Sequence, residues 1–241
     1  MSKIIALNDA IELVQSGSSI LSSGFLGVGT PVNLVHALAE TDKKDFTIIA
    51  PVASYPGQLH DLGRLAANGQ IKKFIGAHIG TSKDLSKAFL AGQVEVDFVP
   101  MGTLAEAIHA AGAGLGGVLT PVGIGTMQEE LHEKVTINGK DFLLYEPIGA
   151  DVAFIKGAKV DKAGNVSVRG TSRGMVLSMA LASKTVFVEA NEIVEVGEIA
   201  PDDVEVPGFL VDYIVQGYTL EESKEYYNAL WASTNVIKKG L

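Results

Sequence analysis

The chain contains no cysteine. That excludes thiol nucleophiles, cysteine-ligated zinc and disulfide frameworks together, and it fits a cytoplasmic protein. Basic residues are also scarce: 19 Lys and Arg against 28 Asp and Glu leave a net charge of −9. Phosphate-backbone recognition needs the opposite sign, so no nucleic-acid partner is expected. The pairs Lys43-Lys44, Lys72-Lys73 and Lys238-Lys239 read as solvated ends of elements. No apolar run approaches the ~20 residues that span a bilayer, so no membrane association is expected. MSKIIALNDAIELVQSG places Asp9 and Glu12 inside its apolar stretch and reads as an amphipathic helix rather than a signal peptide. The five histidines (His36, His60, His78, His109, His132) form no H-x-H or H-x-x-x-H pair, so no metal site is expected. G-x-S-x-G and G-x-x-x-x-G-K-[ST] are both missing.

What is present is a well-cored globular composition, 47% hydrophobic and 20% charged. Through the first hundred residues, β-rich runs (18–23, 46–50, 71–77, 94–99) alternate with helical patterns (31–40, 61–68, 83–91, 103–111). Thr30 is placed to cap the 31–40 helix, with Pro31 at its first position. This alternation predicts an α/β fold with a mostly parallel sheet flanked by helices. Asn138-Gly139 between two alternating runs predicts an inserted antiparallel hairpin over 134–145. Two further strands surround Ala163-Gly164-Asn165. A helix at 174–183, a strand at 185–189 and a helix near 219–237 complete the pattern. Glu129, Glu130 and Glu133 read as one charged helical face. The whole, 1–241, reads as one domain with a helical tail from about 217.

Two glycine runs stand out. Gly112, Gly114 and Gly117 spell G-x-G-x-x-G, but TLAEAIHAA before them is helical and VLTPVGIGT after them is extended. A dinucleotide turn requires the reverse order, strand then helix, which leaves little for an NAD reading here. One glycine suffices for a helix C-cap, so the surplus suggests backbone that something approaches closely. SSGFLGVGTP (22–31) has the context the first run lacks, between a strand and a helix. Its amides from Gly24 to Gly29 suit a phosphate or a developing oxyanion; the plain alternative is a tight turn requiring positive φ.

At these runs the sequence resembles the α chain of the family I coenzyme A transferases, of the acetate or butyrate–acetoacetate type. The family signature Gly-Gly-Phe, three residues, Gly, one residue, Pro stands here as Ser23-Gly24-Phe25-Leu26-Gly27-Val28-Gly29-Thr30-Pro31. PMGTLAEAIHAAGAGLGGVLTPVGIGT (100–126), AHIGTS (77–82), DKAGN (161–165), SKTVFVEANEIVEVGE (183–198) and VPGFLVDYIV (206–215) extend the likeness to about residue 216. Three departures stand out. Ser23 replaces a glycine, Met101 replaces a usual glutamine, and Ser172-Arg173-Gly174-Met175 replaces an Arg-Asn-Phe-Asn-Pro-like run.

The resemblance implies transfer of CoA between a short-chain acyl-CoA and a free carboxylate through a glutamyl-CoA thioester. The nucleophilic glutamate belongs to a Ser-Glu-Asn-Gly motif on a β subunit, and this chain contains no Glu-Asn-Gly. Coenzyme A is then a substrate, with no permanently bound cofactor, and the assembly is αβ or α2β2. Residues 23–29 (Ser23, Gly24, Phe25, Leu26, Gly27, Val28, Gly29) become the CoA-binding loop. Asn33 becomes a candidate oxyanion donor, with a plain polar helix residue as the alternative. Met101, Gly112, Gly114, Gly116 and Gly117 become the acyl and interface surface. Two other readings stand beside it: a non-catalytic sensor of a phosphorylated metabolite, and an NAD-dependent oxidoreductase.

Overall fold

Runs such as SILS and FTII are apolar at consecutive rather than alternate positions, which requires cover on both faces of a sheet. The computed structural model, which describes residues 2–56 and 59–234, provides that cover. The strands are β1 (Ser19–Ser22), β2 (Phe46–Ile49), β3 (Ile71–Gly76), β4 (Glu95–Phe98), β5 (Val118–Thr120), β6 (Glu133–Ile137), β7 (Lys140–Tyr145), β8 (Ala150–Asp161), β9 (Val166–Ser167), β10 (Ser183–Val194) and β11 (Tyr213–Gln216). The helices are α1 (Leu7–Glu12), α2 (Val32–Ala39), α3 (Gly63–Ala67), α4 (Lys83–Leu90), α5 (Met101–Gly112), α6 (Met127–Leu131), α7 (Val176–Leu181) and α8 (Leu220–Thr234).

The main sheet runs β11-β10-β8-β1-β2-β3-β4, all parallel, with β9 antiparallel on β8. Side chains alternate across it. Ile20, Ile48, Phe74, Phe154 and Phe187 pack on one face with Leu34 and Leu38 of α2. Leu21, Ile49, Ala153, Ile155 and Val188 pack on the other with Leu104 and Ile108 of α5. The chain steps outward from β1 through β4, then returns to β8 on β1's other side. The carboxyl ends of β1 and β8 therefore form a topological switch point, where open parallel sheets leave a crevice for ligands.

A second sheet, β5-β7-β6, is antiparallel. Its hairpin turns at Asn138 (φ 51°) and Gly139 (φ 75°), a type I′ pair as the sequence predicts. The DKAGN turn is held by the buried Asp161 carboxylate, which accepts from the backbone N–H groups of Ala163 and Asn165 and from Asn165 Nδ2.

Several expectations need correction. The N-terminal helix shrinks to α1, because Lys3–Ile5 bond to β11 as a short parallel bridge. The 31–40 helix begins at Val32, with Pro31 in the cap position and no side-chain cap from Thr30, whose hydroxyl lies against Gly24. The 103–111 helix extends to 101–112 and absorbs Gly112. Glu133 belongs to β6, so only Glu129 and Glu130 share a helix. The strand at 185–189 becomes the twelve-residue β10, since parallel pairing with β8 carries the ladder through charged positions that break the apolar run. β11 is too short to stand out by pattern. The expected end of the last helix at 235–237, and Lys238-Lys239, lie outside the described residues.

Candidate functional site

β1 ends at the switch point, and the chain there makes a tight turn. Phe25 N–H donates to Val28 O at 2.9 Å and Val28 N–H returns to Phe25 O at 3.1 Å. Leu26 (φ 49°) and Gly27 (φ 83°) occupy the two left-handed positions between them. Gly24 is needed for a different reason: a Cβ there would lie 2.3 Å from Thr30 Oγ1 and 2.8 Å from Thr30 N. Ser23 closes the base of the loop. Its hydroxyl donates to Gly29 O at 2.8 Å and accepts from Lys156 N–H at 3.2 Å. Phe25 and Val28 stay exposed at the tip.

The loop forms one wall of a cavity of about 530 Å³. Met101 at the start of α5 faces it, with Met175 and Met179 around α7 and Ser172 from the 3₁₀ turn at Gly170–Arg173. Ser172 packs directly on the loop, 3.0 Å from where a Gly29 Cβ would sit. Arg173 reaches the rim, where the Glu205 carboxylate neutralises it. The cavity is thus apolar within and carries no unpaired cation at its mouth, which suits a short hydrocarbon chain.

Behind the loop lies a pair that pattern reading overlooks. Glu189 on β10 and Lys156 on β8 are register partners, joined at 2.7 Å, and Glu189 is fully buried. The other carboxylate oxygen accepts from Leu34 N–H at 3.0 Å, so Glu189 caps α2 at its positive end. Gly217 makes room for it; a Cβ there would meet Glu189 Oε1 at 2.6 Å. The available signal is one charge in each of two otherwise apolar strand runs, AFIKG and TVFVEA.

α8 crosses the back of the loop. Tyr227 donates its hydroxyl to Gly27 O at 2.6 Å, and Tyr226 Oη meets His60 Nδ1 at 2.5 Å. His60 in turn abuts Gly27. Burial, with His36 and Arg64 nearby, holds the His60 pKa down at about 4. Burial pushes the Tyr227 phenol well up, so it remains a donor.

The structure gathers the sequence candidates unevenly. Ser23, Gly24, Phe25 and Val28 share one cavity with Met101, whereas Gly29 lines a neighbouring cavity and Gly27 packs against His60 and Tyr55. Asn33 lies in the first turn of α2, and its Oδ1 accepts from Tyr218 N–H at 3.3 Å, leaving its amide N–H groups as the available donors. Gly114, Gly116 and Gly117 sit at the far end of α5 from Met101. At ~1.5 Å per residue that is more than about 15 Å away. Gly112 is helical, and its missing side chain lets α7 approach, Leu181 Cβ lying 2.6 Å from the Cβ position. Gly117 (φ 154°) has Tyr145 O at 2.9 Å from its Cβ position. Glycines that follow a helix cannot present amides to a pyrophosphate, so the NAD reading fails on geometry.

The structure is thus an α/β protein with a glycine-rich turn at the switch point of its parallel sheet, opening on an apolar cavity. The coenzyme A transferase profile matches residues 4–217. The alpha chain of acetate CoA-transferase from Escherichia coli K12 is 39% identical over 213 residues, 88% of this chain and 96% of that one. The alpha chain of acetoacetyl-CoA:acetate/butyrate CoA transferase from Clostridium acetobutylicum is 41% identical over 215 residues, 89% and 98% respectively. Glutaconate coenzyme A-transferase of Acidaminococcus fermentans superposes with a TM-score of 0.81 over 96% of this chain and 88% of that one. At 21% identity that likeness shows the fold. The chain belongs to the coenzyme A transferase family and is a transferase.

Proposed function

We propose that this chain is the non-nucleophilic half of a heteromeric CoA-transferase, acting on short-chain monocarboxylates with a β subunit that supplies the glutamate. The incoming glutamate carboxylate attacks the acyl-CoA thioester carbonyl and expels the CoA thiolate, leaving an acyl anhydride. The thiolate then attacks the glutamyl carbonyl, releases the free acid and forms a glutamyl-CoA thioester. A second carboxylate reverses both steps. Each tetrahedral intermediate places an oxyanion where fixed N–H donors are most valuable. Here those donors are the loop amides not consumed by the turn itself, those of Gly24, Leu26, Gly27 and Gly29, together with the Asn33 amide.

The observation that carries the reading is the turn at the switch point beside the Met101 cavity, in a chain without Glu-Asn-Gly. The relatives are named as alpha chains, which supports a partner chain. So does the segment from Leu115 to Leu131, where Leu115, Val122, Met127 and Leu131 are each at least half exposed. In this reading Gly114, Gly116 and Gly117 lie on the partner-facing surface, in an αβ or α2β2 assembly in the cytoplasm, and CoA is a substrate rather than a resident cofactor. The test is intact mass after incubating the complex with acyl-CoA and no acceptor. The CoA adduct is expected on the partner's Ser-Glu-Asn-Gly glutamate. An adduct on this chain contradicts the assignment.

A further inference from the structure

α8 lies outside the family match, which ends at residue 217, yet it reaches back to the glycine loop. None of its residues is buried, so apolar packing does little to hold it. It is tied instead by a row of polar contacts. Asn191 Nδ2 donates to Ser223 Oγ at 2.9 Å, Tyr226 Oη meets His60 Nδ1, and Thr234 Oγ1 meets Tyr55 Oη at 2.9 Å. Tyr227 Oη alone of this row bonds the loop's backbone, at Gly27 O. Within the loop, Leu26 at φ 49° holds a conformation unfavourable for a residue with a Cβ, and Gly27 tolerates either sign of φ. Such a turn keeps its shape only where its surroundings fix it. Two groups do so here. The Tyr227 hydroxyl holds the Gly27 carbonyl, whose other donor, Thr30 N–H, is longer at 3.4 Å. The buried His60 ring packs on the Gly27 α-carbon, its Nε2 lying 2.8 Å from where a Cβ would sit. The peptide unit held by Tyr227 also carries the Val28 N–H that closes the turn onto Phe25 O.

We propose that Tyr227 is a positioning residue for transfer, clamping the turn so that its free amides keep a fixed aim at the reacting carbonyl. The proposal rests on the transferase reading and adds to it a residue from beyond the family match. Tyr227 touches no reacting atom; it acts through the Gly27–Val28 peptide. Donors fixed in advance favour the developing oxyanion, because none has to reorganise as charge appears. A slack turn therefore slows turnover more than it weakens binding of the ground-state thioester.

The test compares Tyr227→Phe with wild type in the α–β complex. The ring stays and only the hydroxyl leaves, so Tm is expected to stay within about 2 °C. Turnover is expected to fall about tenfold, the scale of one lost hydrogen bond, with KM for acyl-CoA held within about twofold. Hydrogen exchange at the Phe25 and Val28 amides, which close the turn, is expected to quicken about tenfold. Thr234→Val removes another tie of α8 without touching the loop, and is expected to leave turnover and loop exchange within about twofold. Unchanged turnover in Tyr227→Phe overturns the proposal. So does a KM rise with kcat held, which makes Tyr227 a binding contact, and so does slower turnover without faster loop exchange. Equal losses in Thr234→Val reduce α8 to a docked brace and also overturn it. Absence of transfer by the wild-type complex instead refutes the transferase reading, and loop exchange still decides whether Tyr227 holds the turn.

Discussion

At the scale of single residues, the candidate loop is set by what cannot fit. Gly24 at φ 111° has Thr30 Oγ1 inside contact distance of any Cβ, so Gly24→Ala displaces the turn and its amides. The expected outcome is a stability loss of about 1–3 kcal/mol and an acyl-CoA KM raised at least about tenfold. Thermal melts and steady-state kinetics check both, and an unchanged KM removes the loop from the site. Met101 faces the same cavity with a thioether. Met101→Gln is expected to lower kcat/KM for butyrate several-fold more than for acetate, because a polar group then meets the longer chain. Equal losses for the two acids contradict an apolar acyl pocket. That these two positions line one cavity was legible only through the family resemblance and not through periodicity. Glu189 was not legible, because its partners Lys156 and Leu34 are remote in the chain and only the fold brings them into register.

At the scale of elements, α2 has no capping side chain of its own and draws on a carboxylate from β10. Glu189→Gln leaves the Lys156 ammonium without its countercharge, and a loss of about 3–5 kcal/mol is expected from denaturant titration. A loss below about 1 kcal/mol contradicts the buried ion-pair account. The link between α8 and the loop carries its own pH dependence. Unfolded His60 takes a proton near 6.5 and folded His60 only near 4, so the unfolded state binds more protons between those values. The His60 contribution is full above about 6.5, declines as pH falls through that window, and changes no further below about 4. Its total is no more than about 3 kcal/mol. Wild type is expected to lose Tm over this window more steeply than His60→Gln, and parallel slopes contradict the assignment. Strands and helices of the first half were readable because each βα unit carries its own period. The reach of Tyr226 and Tyr227 back to His60 and Gly27 was not, since nothing local in LEESKEYYNALW names the surface it covers.

At the scale of the whole molecule, the order of the strands accounts for where the candidate cavity sits. The sheet turns back at β1, and the loop after β1 carries the amides, the neighbouring β8 contributes Lys156 behind it, and α5 brings Met101 across. Alternating patterns foretold a mostly parallel sheet but not its order, because the β1–β8 adjacency spans the chain between them. The glycine run at 112–117 is outside this cavity and beside the exposed apolar segment that ends in α6. Met127→Glu with Leu131→Glu is expected to leave Tm within about 2 °C and to abolish co-purification with the β chain, as surface substitutions in an apolar interface do. Retained association places the partner elsewhere. The most direct test of the account is exchange of labelled acetate into acyl-CoA by this chain alone, by a Ser-Glu-Asn-Gly partner chain alone, and by the two together. Exchange only by the pair is the predicted result, and exchange by this chain alone contradicts it.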